Sequence, residues 1–291
     1  MLGICVIGGS RYFGKRLVKR LLEAGHTVTV VNRGSSAPPA GAVHLIADRD
    51  DERALEEALG PRTFDVVLDQ VCYTPRQAEI ARRVLGPRTR RYVMTSTVEV
   101  YENEDSASPV REEAVDPRTV AVDLDADLPY GEGKRQAEAV FARDPSLRFT
   151  AVRVAHVLGG ADDFTGRLTH YAERIGAGLP VAVAPADRPA TYVYVEEIAD
   201  FLAWAAERDF TGPVNAASHG PLTTRDICAA VEARTGGRAE FREVGTGEVS
   251  PFSFRRGYAM DNTRATELGY PFRHSSDWLE RAVGETLGAL A

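Results

Sequence analysis

The sequence predicts an α/β fold, a parallel sheet covered by helices, with a smaller lobe toward the C-terminus. Through the first 160 residues, short β-rich runs alternate with amphipathic helical stretches, and a glycine-rich turn joins the first such strand to the first helix. Beyond that point the alternation loses its regularity. Strand–helix alternation implies a parallel sheet, because a parallel crossover needs a long connection and helices supply it.

Leu2 to Ile7 is a compact apolar run ending in glycine, as expected of a strand buried on both faces. Phe13, Leu17, Val18, Leu21 and Leu22 recur at helical spacing, and Gly25 stops that helix. Further strands are expected at Thr27 to Val31, Val43 to Ala47, Asp65 to Leu68, Arg91 to Thr95 and Phe149 to Val154, with helices near 52–59, 75–85 and 130–142. A helix at 164–176 precedes the break from Gly176 to Pro180, and a strand at 190–195 with a helix at 196–207 is expected to rejoin the main sheet. Residues 219–291 mix short helices with one or two strands. The predicted division is a first domain of 1–157 plus 186–218 and a lobe of 158–185 plus 219–291.

With 44% hydrophobic and 26% charged residues over 291 positions, the chain has the profile of a soluble globular protein. No apolar run approaches the ~20 residues of a membrane helix, so no membrane partner is expected. The net charge of −7 argues against a dedicated nucleic-acid binder. Cys5, Cys72 and Cys228 form no CxxC pair or zinc spacing, which disfavours metal chemistry and fits a reducing compartment. The first residues run directly into the first strand without a basic leader, so a cytoplasmic location is expected.

The turn Gly8-Gly9-Ser10-Arg11-Tyr12-Phe13-Gly14 lies between the first strand and the first helix. That context gathers backbone N–H groups and the positive end of a helix dipole, which suits a dinucleotide's diphosphate. Gly8 permits the tight turn, Gly14 allows close packing of helix on sheet, and Arg11 stands where a second-turn glycine is expected. At the end of the second strand an NAD site usually carries an acidic residue for the ribose hydroxyls. Here Asn32-Arg33 stands instead. Asn32 does not repel a 2′-phosphate, and Arg33, with Arg11, has the charge to clamp one. NADP is therefore expected ahead of NAD, although both arginines also read as solvated surface charges. Asp48 reads equally as an acceptor for the adenine amino group and as a carboxylate at a helix start.

Tyr130 and Lys134, four residues apart in YGEGK at the head of a helical stretch, share one helix face. An ammonium beside a phenol favours the tyrosinate, which suits proton transfer. Lys134 can also reach the cofactor's ribose. The fifth strand ends in Thr95-Ser96-Thr97, which places a hydroxyl beside the tyrosine.

GGSRYFG, RYVMTSTVEVY, YGEGK and the tail MDNTRATELGYPF resemble the extended branch of the short-chain dehydrogenases/reductases, also called the NAD-dependent epimerase/dehydratase family. The resemblance runs over nearly the whole chain. It implies a Rossmann-type, doubly wound domain with a small substrate-binding lobe, Thr97 as the catalytic hydroxyl, Tyr130 as acid/base and Lys134 as its supporter. Arg11, the NRG after the second strand and the segment Asp163 to Arg167 resemble an atypical subgroup whose members have been labelled reductases, sugar dehydratases and RNA-binding proteins. Aligned on the family's R-P-x-x-V-Y-G-P, the segment RVAHVLGG puts His156 near the nicotinamide, where a lone histidine also reads as a packed side chain. The family's arginine for a substrate diphosphate is absent from Ala190 to Val195, with Arg188 two residues earlier. Glu99 falls at the dehydratases' glutamate, but their partner aspartate is Val98 here, so elimination lacks half its acid–base pair.

The reaction expected is reduction of a carbonyl or imine in a small polar metabolite with NADPH. The alternatives are an NAD-dependent sugar or nucleotide-sugar epimerase/dehydratase and a catalytically silent RNA- or protein-binding member. Tyr73, Glu99, Arg167, Arg188 and Arg255 are the expected substrate-lining residues, suggesting a polar or anionic molecule. The resemblance also implies a homodimer through the helices near 75–86 and 130–144, with Ala137, Val140, Phe141, Ile80 and Val84 offered as apolar contacts unless they face their own sheet.

Overall fold

In the computed structural model, which describes residues 1–102 and 109–288, strands and helices alternate as the hydrophobic runs predict. The order is β1 (Gly3–Ile7), α1 (Tyr12–Glu23), β2 (Thr27–Asn32), β3 (Val43–Ile46), α2 (Glu52–Leu59), β4 (Phe64–Asp69) and α3 (Pro75–Leu85). It continues through β5 (Thr89–Thr97), α4 (Tyr130–Ala142), β6 (Phe149–Val154), β7 (His156–Leu158), α5 (Arg167–Gly176), β8 (Val181–Val183), β9 (Tyr192–Tyr194) and α6 (Val195–Glu207). The last elements are β10 (Gly212–Ala216), α7 (Thr224–Thr235), β11 (Phe241–Glu243), α8 (Thr263–Glu267) and α9 (Leu279–Gly288).

Seven strands form the main sheet in the order β10-β6-β5-β4-β1-β2-β3. Every pairing from β3 through to β6 is parallel. The strand order reverses direction between β1 and β4, the switch point at which doubly wound sheets bind ligands beyond their carboxyl ends.

Side-chain alternation explains the two covered faces. Cys5, Ile7, Val67, Tyr92 and Met94 point to one face and pack with Leu55 and Leu59 of α2, Ala81 and Val84 of α3, and Ala137 and Phe141 of α4. Tyr92, Phe141 and Phe149 stack in sequence there, with centroids 4.4 and 5.0 Å apart. On the opposite face α1 packs so closely that a Cβ on Gly9 would stand 2.8 Å from Val6 and 3.0 Å from Val18. Arg20 of α1 pairs with Asp200 of α6, and Arg91 of β5 donates to the carbonyls of Ala205 and Ala206 at the end of α6.

One expectation is corrected. The predicted strand at 190–195 does not rejoin the main sheet. As β9 it pairs with β7 in a separate two-stranded sheet, and β10 takes the place beside β6. Gly212-Pro213 opens β10 and hides it from a hydrophobic reading. The apolar residues offered for a dimer contact, Ile80, Val84, Ala137, Val140 and Phe141, are buried inside their own unit. What α3 and its surroundings expose is charge, with Arg83 paired to Glu52 and Glu79.

The chain divides into two units. The first comprises Met1–Glu102, Glu112–Val154 and Ile198–Val214. The second holds 109–111, 155–197 and 215–288, including the small sheets β7–β9 and β8–β11. Among the described residues no helix is long and apolar enough to cross a membrane.

Candidate active site

The glycine corner is built from backbone that side chains would obstruct. Gly8 and Gly9 adopt φ of 92° and 74°, values open chiefly to glycine. A Cβ on Gly14 would stand 3.0 Å from the Gly9 Cα, so the head of α1 lies directly on the turn. Arg11 stands where a glycine was expected, yet its φ of −135° and ψ of 155° are extended and open to any residue. The strained position is the next one: Tyr12, buried, has φ 49°, at a cost of order 1 kcal/mol or more. Lys15 is the first residue whose N–H bonds back, to the Arg11 carbonyl. The preceding N–H groups have no helical acceptor, and the cradle fits a dinucleotide's diphosphate.

At the end of β2 the Asn32 carboxamide is occupied by the protein itself. Its Nδ2 donates to Ser10 Oγ at 2.6 Å and to the Ser36 carbonyl at 3.1 Å. Its Oδ1 accepts from the Gly34 N–H at 2.7 Å and lies 2.9 Å from His44 Nε2. Ser10 and Asn32 thus hold one another and the following loop. Arg33 and Arg11 are exposed. Asp48 is exposed and accepts from the Asp50 N–H at 3.0 Å, while the carboxylate at the start of α2 is that of Asp51, which accepts from the Ala54 N–H.

The residues of YGEGK come together at the carboxyl ends of β4 and β5. Tyr130 opens α4 and is 51% exposed, whereas Lys134, one turn on, is 2% exposed. Lys134 Nζ donates to the Thr95 carbonyl at 2.7 Å. It lies 5.9 Å from the Tyr130 ring centroid and 4.7 Å from that of Tyr73. The two phenol rings are 6.2 Å apart, so Tyr73, expected to line the substrate, belongs to this cluster. Burial pushes the Lys134 ammonium down to about 8. Thr97 Oγ1 accepts from the Glu99 N–H at 3.3 Å, which leaves its hydroxyl proton free to donate. Glu99 is half-buried in the same turn.

The two glycines of YGEGK fix this arrangement. A Cβ on Gly131 would stand 2.6 Å from the Glu99 carbonyl oxygen, and one on Gly133 would stand 2.6 Å from that of Tyr73. The first turn of α4 therefore lies directly on the backbone after β4 and β5. Gly133→Ala is expected to cost about 1–3 kcal/mol of stability through overpacking and to lower turnover further than its folded fraction explains. Urea titration alongside a turnover assay checks both.

Four residues named from sequence lie in the second unit or at its surface. His156 is buried among Phe254, stacked at 5.0 Å, and Tyr192, Phe252 and Tyr258. Burial, with the Arg167 charge, pushes it down to about 3, so it is a neutral imidazole. Arg167 is exposed at the start of α5, and Arg188 is exposed with its N–H on the Phe254 carbonyl. Arg255 is committed to the carbonyls of Gly245 and Gly247 at 2.6 and 3.0 Å.

Sequence reading missed a buried polar layer beneath the site. Asp69, at the end of β4 and fully buried, accepts from Arg49 at 2.8 Å on each oxygen, from Tyr92 at 2.6 Å and from the Val71 N–H at 3.0 Å. Gln70 donates to Thr95 Oγ1 at 3.0 Å. The signal was an acid closing the apolar run DVVLD. Burial holds the Cys5 and Cys72 thiols in their protonated form far above neutral pH, Cys72 near 12.

A family model for the NAD dependent epimerase/dehydratase family matches residues 4–85 and 73–217. The chain belongs to that family. Among curated relatives, this family member is 26% identical over 197 residues to the chloroplast stem-loop binding protein of 41 kDa b of Arabidopsis thaliana, covering 62% of this chain and 48% of that protein. It is 23% identical over 267 residues to UDP-glucuronic acid decarboxylase 1 of the same plant, covering 79% and 58%. The chain thus spans about half the length of these curated relatives. Among solved structures, UDP-glucose 4-epimerase of Thermotoga maritima with UDP-glucose superposes with a TM-score of 0.77 at 22% identity, over 99% of both chains. The Bordetella bronchiseptica enzyme WbmG in complex with NAD and UDP gives 0.75 at 18% identity, over 99% of this chain and 93% of that one. These likenesses show a shared Rossmann-type fold.

Proposed function

We propose that the protein oxidises and re-reduces a secondary alcohol of a sugar or nucleotide sugar with a retained nicotinamide cofactor, an epimerase-type reaction without net redox change. The observation that carries this reading is the gathering of Tyr130, Lys134 and the Thr97 turn at the carboxyl ends of β4 and β5, in the same unit as the glycine corner. The family match and the whole-chain likeness to sugar-nucleotide epimerases support sugar chemistry ahead of simple carbonyl reduction.

Gly8, Gly9, Ser10, Arg11, Tyr12, Phe13 and Gly14 are the proposed diphosphate cradle, with Arg33 and Asp48 toward the adenosine half. The nicotinamide, when bound, supplies a hydride acceptor and donor. The chain's own residues manage the proton. Tyr130 Oη takes it from the substrate hydroxyl as the carbonyl forms and returns it on re-reduction. Thr97 donates its free hydroxyl proton to that oxygen, and Lys134 favours the tyrosinate by its charge and offers its remaining N–H donors to ribose. Tyr73 and Glu99 are the proposed substrate-facing residues of the first unit. His156, neutral and caged, is assigned no proton transfer. Val98 beside Glu99 leaves dehydration without its acid partner.

One observation favours a second reading, an NADPH-dependent reductase. Asn32 carries no charge, its amide is consumed by Ser10, Ser36, Gly34 and His44, and Arg33 stands exposed beside it. Extracting the purified protein and identifying its nucleotide separates the two. Stoichiometric NAD that survives dialysis, with interconversion of UDP-sugar epimers, is the expected result. A chain that emerges empty and consumes NADPH with a carbonyl panel overturns the epimerase reading. An RNA-binding role is disfavoured by the net charge of −7.

A further inference from the structure

We infer that Arg49 is a positioning residue: by engaging both oxygens of Asp69 it keeps that buried carboxylate from pairing with Lys134, and so leaves the lysine's donors to the cofactor and Tyr130. This rests on the role proposed for Lys134 above.

The geometry comes from the strand register. Asp69 is paired with Met94 across β4 and β5, one residue before Thr95, whose carbonyl receives Lys134. Asp69 bonds Tyr92, which lies on the same face of β5 as Met94 because side chains alternate. Phe141 of α4 stacks on that ring. Asp69 therefore lies on the face that α4 covers, and Lys134 belongs to α4.

A buried ammonium and a buried carboxylate in one cluster should seek each other. Here Lys134 bonds a neutral carbonyl instead. The anion is already committed, since Arg49 Nη1 reaches both oxygens at 2.8 Å and Tyr92 and the Val71 N–H take further lone pairs. Arg49 is itself held by the Gln77 carbonyl at 3.0 Å, on the first turn of α3. The other titratable groups facing Lys134 are Cys72, which keeps its proton, Glu138, Tyr73 and Tyr130. Glu138 is committed to Arg153 and Ser96. Asp69 is thus the anion that Lys134 would gain if Arg49 were absent.

The chain has three lysines, Lys15, Lys19 and Lys134, and the first two are exposed. Selective ¹³Cε-lysine labelling of the full chain as purified therefore gives a titration curve for Lys134 separate from the other two. It is read without turnover, so failure of the proposed reaction leaves the result standing. In Arg49→Met the Lys134 titration is expected to move up by ~1–3 pH units, the effect of an opposite charge at short range. The double change Arg49→Met/Asp69→Asn is expected to return it close to wild type. Asp69→Asn alone, which keeps Arg49 and removes the anion, is expected to move it down, and this arm decides the matter if Arg49→Met does not fold. A Lys134 titration unmoved in Arg49→Met or in Asp69→Asn overturns the inference, as does a shift that persists in the double variant.

Discussion

Replacing Lys134 with methionine is expected to abolish turnover and at the same time raise the fold's resistance to urea. The side chain is 2% exposed and its ammonium, with an ordinary value of 10.5, is pushed down to about 8 by burial. A gap of that size corresponds to about 3 kcal/mol of native-state penalty on the charged form. Methionine fills similar volume with no charge to desolvate, so at pH 7 it is expected to recover a large part of that penalty, offset by the lost bond to the Thr95 carbonyl. The sign with pH follows from proton counting. Between pH 8 and 10.5 the unfolded chain still holds the lysine proton that the folded chain has released, so wild-type stability rises with pH across that window. The methionine variant lacks that rise. Urea midpoints at pH 7 and pH 10 for both proteins check it, and equal pH slopes would refute the buried-ammonium account. Tyr130→Phe provides the contrast. Its ring is 51% exposed, so it is expected to lose ~10²–10⁴ in turnover, the usual worth of a positioned acid–base group, with little change in urea midpoint. A stabilised but inactive lysine variant beside an unstabilised, inactive tyrosine variant shows that the site, and not the fold, requires the buried charge.

The sheet was legible because its signals are redundant. GICVI is a continuous apolar run, TVTVV and FTAVRV are rich in β-branched residues, and helix signals such as Thr74 and Pro75 at the head of α3 lie between them. Tyr130 and Lys134 were legible because a helix converts a spacing of four into proximity. What the sequence did not show was which polar residues would be buried. Arg49 stands among four acids in ADRDDE and reads as a solvated charge, yet the fold seals it against Asp69. Asn32 was read as an uncharged neighbour of a cofactor 2′-phosphate, and contacts with Ser10, 22 residues away, and His44, 12 residues away, consume its amide. His156 was read against the cofactor, while rings nearly 100 residues later in the chain, Phe252, Phe254 and Tyr258, enclose it. In each case a partner distant in sequence decides the outcome, and periodicity carries no information about it.

The same limit hid the pair on which the site's framework depends most. Glu138 lies one helical turn beyond Lys134, and Arg153 sits next to the last residue of β6; both are fully buried. Arg153 meets the two carboxylate oxygens at 2.7–3.2 Å, and its other donors reach Tyr101 Oη and the carbonyls of Glu112 and Val115 at 2.8–2.9 Å. Ser96, between Thr95 and Thr97, donates to the same carboxylate. One ion pair therefore ties β6, α4 and the end of β5 together, and it holds the strand that carries Thr97 against the helix that carries Tyr130 and Lys134. Arg153→Met strands a carboxylate in the interior, and Glu138→Gln leaves a guanidinium without its counter-charge. Each is expected to cost ~3–5 kcal/mol in urea unfolding, the usual penalty for breaking a buried pair from one side. The double change Glu138→Met/Arg153→Met removes both charges and is expected to recover much of that stability, because desolvation of two ions is no longer required. Turnover is not expected to recover with it, since the bonds of Glu138 to Ser96 and of Arg153 to Tyr101, which help hold Thr97 relative to α4, are lost. Single variants within ~1 kcal/mol of wild type would place this pair with ordinary surface bridges, and a double variant with wild-type turnover would show that packing alone sets the distance between the Thr97 turn and Tyr130.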